Sequence, residues 1–162
     1  MWSESGAFAQ LPSTPMARLL ASFFGSGLIL GRIRGSHRGS GTVGALLALA
    51  ISLPLPPVYG RLTALGASIV LGIWSIQKLM LGDDDPGWVV IDEAAGTFLA
   101  TIGLGIPAAI VAWVVFRAAD IAKKAFPGVA AAERVSGGIM ADDLVAGLYG
   151  LAAGWVVQLV IG

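Results

Sequence analysis

The sequence predicts an all-α fold: a polytopic integral membrane helical bundle of about five membrane-embedded segments, two of them paired as a short helical hairpin. Three observations carry that expectation. Hydrophobic residues make up 56% of the 162 and charged residues only 12%, whereas soluble domains carry about 25% charged residues. Mean hydropathy is +0.83. The stretch from Leu62 to Leu81 is apolar and long enough to cross a hydrocarbon core, which takes about 20 helical residues. Glycine is abundant, at 23 residues and without the period of three that collagen needs; small residues let helices approach closely in lipid.

Taken in order, residues 1–14 form a polar N-terminal segment, and 15–162 form the membrane-embedded domain. Met1 to Thr14 has no basic start and no continuous apolar core, so a cleaved signal peptide is not expected. Met16 to Leu30 is apolar but interrupted by Gly25-Ser26-Gly27, and reads as a helix lying in or dipping into the membrane. Gly31 to Ser40 is a Gly-rich basic loop with Arg32, Arg34, His37 and Arg38. Thr42 to Leu53 is apolar and stops at Pro54-Leu55-Pro56-Pro57. Leu62 to Leu81 is the clearest span, with Lys78 placed to snorkel at its end. Gly82 to Gly87 is a polar turn. Trp88 to Phe116 is too long for one span and breaks at Gly103-Leu104-Gly105-Ile106-Pro107, which predicts the hairpin. Lys123 to Ala141 is more polar, a loop or surface helix, and Leu144 to Ile161 is the final span.

Basic residues orient this arrangement. With the N-terminus in the cytoplasm and segments at 42–58, 62–80, 88–103, 106–120 and 143–161, nine of the ten Lys and Arg residues fall on the cytoplasmic side. Arg61 alone falls outside. The same threading brings Gly41-Thr42, Asp92-Glu93, Arg117, Asp120, Lys123 and Asp142-Asp143 to one membrane face, although no acidic residue was used to set it. Net charge is zero with no long basic run, so nucleic acid is not an expected partner. The absence of Cys excludes disulfides, thiolate catalysis and Cys-based zinc sites.

The acidic pairs are the centre of the chemical reading. Carboxylates at membrane depth are costly and persist where they are paired, bind a cation or line a wet cavity. Asp92, Glu93, Asp142 and Asp143 offer the hard oxygen ligands that Mg²⁺ prefers. Each pair is expected to start a helix, so the bland alternative is two capped helices without metal. Each is followed about one turn later by a small residue, Gly96 or Gly147, which would admit a close neighbour. Arg117 and Asp120 share a helix face. They are either an ion pair facing headgroups or a phosphate grip in which Arg117 and a lysine bind the anion, with Asp120 orienting Arg117 or ligating metal. Ser40-Gly41-Thr42-Val43-Gly44 can open a helix whose amide groups face an anion, though it lacks the Lys-Ser/Thr of a Walker loop. His37 is the sole histidine and reads as solvated; its solitude excludes a phosphohistidine mechanism that needs a second histidine. Asp83-Asp84-Asp85-Pro86 reads as a polar turn.

Four motifs in order, Ser40-Gly41-Thr42-Val43-Gly44, Asp92-Glu93-Ala94-Ala95-Gly96, Phe116-Arg117-Ala118-Ala119-Asp120-Ile121-Ala122-Lys123 and Gly138-Ile139-Met140-Ala141-Asp142-Asp143-Leu144-Val145-Ala146-Gly147, resemble the phosphatidylglycerophosphatase A family from about residue 20 onward. The chain departs from that pattern at Lys124, where the family usually has proline, and at Ser136, where glycine is common. The resemblance implies an α-helical, multi-pass enzyme of the bacterial inner membrane with its site facing the cytoplasm. It implies Mg²⁺-dependent hydrolysis of the terminal phosphate of phosphatidylglycerophosphate to phosphatidylglycerol. Asp92, Glu93, Asp142 and Asp143 are then expected to bind metal or activate water, Arg117, Lys123 and Thr42 to bind the substrate phosphate, and Asp120 to position. The competing reading is a small ion transporter or channel subunit, which needs its carboxylates near the bilayer midplane. A phosphotransferase of the CDP-alcohol type is excluded because its longer Asp-Gly…Ala-Arg…Gly…Asp…Asp signature is missing.

Overall fold

A computed structural model describes residues 15–81, 86–132 and 138–161. The polar start at 1–14, the Asp83–Asp85 turn and Ser136 lie outside the described residues. Among the described residues the structure is entirely helical, with no strand. Helix α1 spans Pro15–Ala21 and α2 spans Ile29–Arg34, with one 3-10 turn at Ser26–Leu28 between them. Where the sequence reads as one interrupted helix, the two halves bend by 85°. The bend is made by a left-handed turn: Phe23, Phe24 and Gly25 have φ of 44°, 58° and 87°. Such angles cost a bulky residue of order 1–3 kcal/mol. Local bonds hold the turn, with the Gly25 amide donating to Ser22 Oγ and Ser26 Oγ donating to the Phe23 carbonyl. The Phe23 ring packs edge-on against Phe98 at 6.3 Å.

Helix α3 spans Ser40–Ser52, α4 Tyr59–Lys78, α5 Ile91–Thr101, α6 Ile106–Ile121, α7 Val129–Ala132 and α8 Gly138–Ile161. The expected hairpin is present as α5 and α6. Their break holds Gly103 at φ 74°, and proline lies in the first turn of α6, where its missing N–H costs nothing. The α4 and α8 helices are long and apolar enough to cross a membrane, and the bent α1–α2 pair makes a third candidate. The 13-residue α3 is apolar but shorter, and α5 has 11 residues. Among the described residues, two to three candidate spans are therefore observed, against the five membrane-embedded segments expected.

Helix α8 is the packing centre and lies chiefly against α6 and α5. Its glycines explain how. A Cβ at Gly147 would lie 2.9 Å from the Gly96 carbonyl of α5, and one at Gly150 would lie 2.9 Å from Phe116 Cβ of α6. A Cβ at Gly96 would in turn lie 2.9 Å from the Asp143 carbonyl. Side chains at these positions would push the helices apart, so the small residues placed one turn after the acids do serve close approach. Phe116, Leu104 and Val129 fill the space that remains.

The far end of the bundle from the acids is tied by Arg61 of α4, which is almost fully buried. Its Nε donates to the Ser52 carbonyl at 3.1 Å and its Nη1 to the Leu104 carbonyl at 2.8 Å and the Thr101 carbonyl. One guanidinium thus satisfies carbonyls at the C-terminal ends of both α3 and α5, where positive charge also opposes the helix dipoles. Ser52 and Thr101 share a 2.7 Å hydrogen bond beside it. The hairpin tip is fixed by the Gly103 amide donating to Pro57 and the Gly105 amide donating to Gln158.

Candidate functional site

The N-terminal end of α5 puts Asp92 and Glu93 in its first turn. The second pair does not open its helix as expected. Helix α8 begins at Gly138, so Asp142 and Asp143 sit a full turn inside it, and end-capping does not account for them. Asp92, Asp142 and Asp143 are 4%, 6% and 3% exposed. One carboxylate oxygen from each of Asp92, Glu93 and Asp143 lies within 4.8 Å of the others. Glu93 Oε2 and Asp143 Oδ1 are buried without a hydrogen-bond partner. Like charges this close, out of water, call for a compensating cation. The donor set is all hard oxygen and suits Mg²⁺.

Asp142 takes a different direction. Its Oδ2 lies 2.5 Å from Lys123 Nζ, in the 3-10 turn Lys123–Ala125 that follows α6. Neighbours on a helix point about 100° apart, so Asp143 meets the acids of α5 while Asp142 meets the lysine. Arg117, in the last turns of α6, is buried, and its Nη1 lies 2.6 Å from Asp120 Oδ2. Its Nε has no hydrogen-bond partner.

The N-terminus of α3 closes the site. Gly39 precedes it at φ 86° without a side-chain cap. A Cβ on Gly41 would lie 2.9 Å from Glu93 Cδ, closer still to Glu93 Oε1, and 3.4 Å from Arg117 Nη2. The first turn of α3 therefore rests on both the acid trio and the arginine. Ser40 Oγ is buried there without a partner. Thr42 is half-buried on that same turn. First-turn amides have no partner within their helix and favour anions. The structure thus brings carboxylates, a guanidinium, an ammonium and a helix N-terminus to one end of the bundle.

Sequence reasoning missed Arg61 and the steric role of Gly41. An isolated arginine just after a proline run that ends an apolar helix was the available signal for the first. The second left only the Ser-Gly-Thr pattern, which was read for its amides.

The fold and site define a helical protein with apolar helices able to span a membrane and a carboxylate–arginine centre at one end of its bundle. The chain belongs to the Phosphatidylglycerophosphatase A family, whose match covers residues 19–158. It is also 35% identical over 161 residues to a Bacteroides thetaiotaomicron protein named "Putative phosphatidylinositol-3-phosphatase", covering 89% of this chain and 94% of the relative. No solved structure matches. Family and relative together place the chain among membrane-associated lipid phosphatases.

Proposed function

We propose that the chain hydrolyses the terminal phosphate monoester of phosphatidylglycerophosphate, giving phosphatidylglycerol, with Mg²⁺ held by Asp92, Glu93 and Asp143. The observation that carries this is the buried acid trio, with two partnerless oxygens, set against Arg117 and the open end of α3. Bound there, Mg²⁺ supplies Lewis acidity toward the phosphoryl group. Arg117 receives phosphate oxygens as a planar fork, and Asp120 holds its guanidinium in place. Lys123 adds positive charge, positioned by Asp142, and Thr42 presents its hydroxyl and amide from the first turn of α3. Hydrolysis makes a P–O bond to water and breaks the one to the glycerol oxygen. A carboxylate of the cluster takes the water's proton, and the departing glycerol oxygen regains one.

In this reading α3 to α6 and α8 are all embedded in the bacterial inner membrane, and the acid-bearing ends face the cytoplasm. The placement favours phosphatase over ion transport, because the acids lie at helix ends beside cations that suit an anion rather than at mid-length of the spans. The relative's name supports a second substrate, phosphatidylinositol 3-phosphate. Phosphate release from each lipid by the purified protein tests the choice. Faster release from phosphatidylglycerophosphate is expected, and release from the inositol lipid alone would overturn the substrate assignment.

A further inference from the structure

The basic residues of the α1–α2 region remain outside the site described so far. Arg18, Leu28, Gly31, Arg32 and His37 line a cleft of about 350 Å³. We propose that this cleft binds the phosphodiester of the lipid substrate while the acid trio and Arg117 act on its terminal monoester; this rests on the substrate reading above.

Among the described residues, the cleft is positive and has no compensating carboxylate. Every described acidic residue, Asp92, Glu93, Asp120, Asp142 and Asp143, belongs to the other site, and no described carboxylate pairs with Arg18 or Arg32. Its groups are also held in place. The Arg18 guanidinium stacks over the Trp88 ring at 5.4 Å, a geometry that leaves its N–H edge for a ligand. His37 Nδ1 donates to the Gly27 carbonyl at 3.2 Å, which fixes the ring in the cleft wall. Gly31 makes room for that ring: a Cβ there would lie 2.8 Å from Nε2.

The cleft adjoins the acid trio through two connections. Trp88, under Arg18, lies one turn's length of chain before Asp92. The Ser40 amide donates to the His37 carbonyl at 3.0 Å, and the next residue, Gly41, rests on Glu93. His37 and Gly41 are four residues apart, at most about 15 Å of chain. A phospholipid that carries a monoester on its headgroup polyol presents two phosphates separated by that polyol, and this end of the bundle presents two anion sites flanking one helix terminus. Paired arginines suit a diester because its two free oxygens accept forked hydrogen bonds.

The acyl chain has a place on the same bent pair. Leu20, Phe23 and Phe24 wall an apolar groove of about 180 Å³, completed by Ala67 and Leu71 of α4 and Ile91 of α5. Arg18 and Leu20 are two residues apart on α1, so one short helix faces both cleft and groove. Ile91 immediately precedes Asp92. Cleft, groove and acid trio therefore adjoin one another around α1 and the start of α5.

The test compares two lipids with identical acyl chains in nonionic detergent micelles: phosphatidylglycerophosphate, and phosphatidic acid, which has a terminal monoester but no diester. In the Arg18→Gln/Arg32→Gln double variant, KM for phosphatidylglycerophosphate should rise about tenfold, and its kcat/KM advantage over phosphatidic acid should shrink by the same factor. Equal losses on both lipids, or no loss, would overturn the proposal. An effect that appears only when another anionic lipid is mixed into the micelles would assign the cleft to a bilayer neighbour and overturn it as well. Should the double variant fail to fold, the exposed Arg32→Gln alone must show the same direction. Ala67→Phe, which fills the groove, should penalise long-chain substrate more than a short-chain one; equal rates would remove the groove from the site. A wild-type protein inactive on phosphatidylglycerophosphate would instead defeat the substrate reading itself, visible before any variant is compared.

Discussion

Gly41→Ala separates the chemistry of the site from the packing of the bundle. A Cβ at this position would lie 2.9 Å from Glu93 Cδ and closer to Oε1. Carbon atoms rest at about 3.5–4.0 Å, so the carboxylate has to retreat. The obstruction is the far end of a flexible side chain, so Glu93 can swing aside while α3 and α5 stay packed. Alanine is also a better helix residue than glycine by about 1 kcal/mol, which offsets the strain. The fold is therefore expected to survive, with a melting temperature near that of the parent. The site is not. Mg²⁺ demands near-octahedral geometry at about 2.0–2.1 Å, and a displacement of roughly 1 Å at a reacting centre costs on the order of 100-fold. The assay is phosphate release from micellar phosphatidylglycerophosphate across a Mg²⁺ titration, beside a thermal melt. The expectation is a fall in kcat/KM of about two orders of magnitude with a raised Mg²⁺ requirement. A folded variant with the parental rate and Mg²⁺ dependence would refute the placement of Glu93 in the metal site.

Three further expectations follow from other parts of the structure. Arg117→Lys keeps the charge but loses the fork, so activity should fall at least about 10-fold, or ~1.4 kcal/mol of transition-state stabilisation, with the Mg²⁺ titration unmoved; a parental rate would reduce Arg117 to a partner of Asp120. Arg61→Met strands the carbonyls of Ser52, Thr101 and Leu104, and with each stranded buried group costing about 1–3 kcal/mol, it should lower the melting temperature clearly; an unchanged melt would show that the tie is dispensable. Because the chain has no native cysteine, one introduced at Gly87 should label only from the cytoplasmic side and one at Gly60 only from outside; the reverse pattern would invert the orientation.

Much of the site was legible in the sequence because its residues come in short motifs at helix ends. The acidic pairs, Arg117 with Asp120, and the break at 102–105 were visible as local patterns, and the structure has α5, α6 and α8 running between them. What the sequence concealed is helical phase and long-range contact. Asp142 and Asp143 are adjacent in the chain, yet one reaches Lys123 and the other the acids of α5. The start of α8 at Gly138 was missed because the charges and glycines between Lys123 and Gly138 make that stretch read as a polar connection, whereas Ile139 and Met140 are buried and belong to the helix. The contacts of Arg61 join residues 9, 40 and 43 positions away in the chain, and no local pattern encodes the last two. Helices lie at all five expected segments, but among the described residues fewer are long enough to span on their own, because α3 and α5 have only 13 and 11 residues.

The most direct test of the metal-dependent phosphatase account is phosphate release from phosphatidylglycerophosphate by the purified protein in EDTA and again after Mg²⁺ is restored, run beside Asp143→Asn. The parent should be silent in EDTA and recover with Mg²⁺, while Asp143→Asn purifies folded and stays at least about 100-fold less active at every Mg²⁺ concentration. Full release in EDTA, or a parental rate from Asp143→Asn, would contradict a phosphatase built on a cation held by Asp92, Glu93 and Asp143.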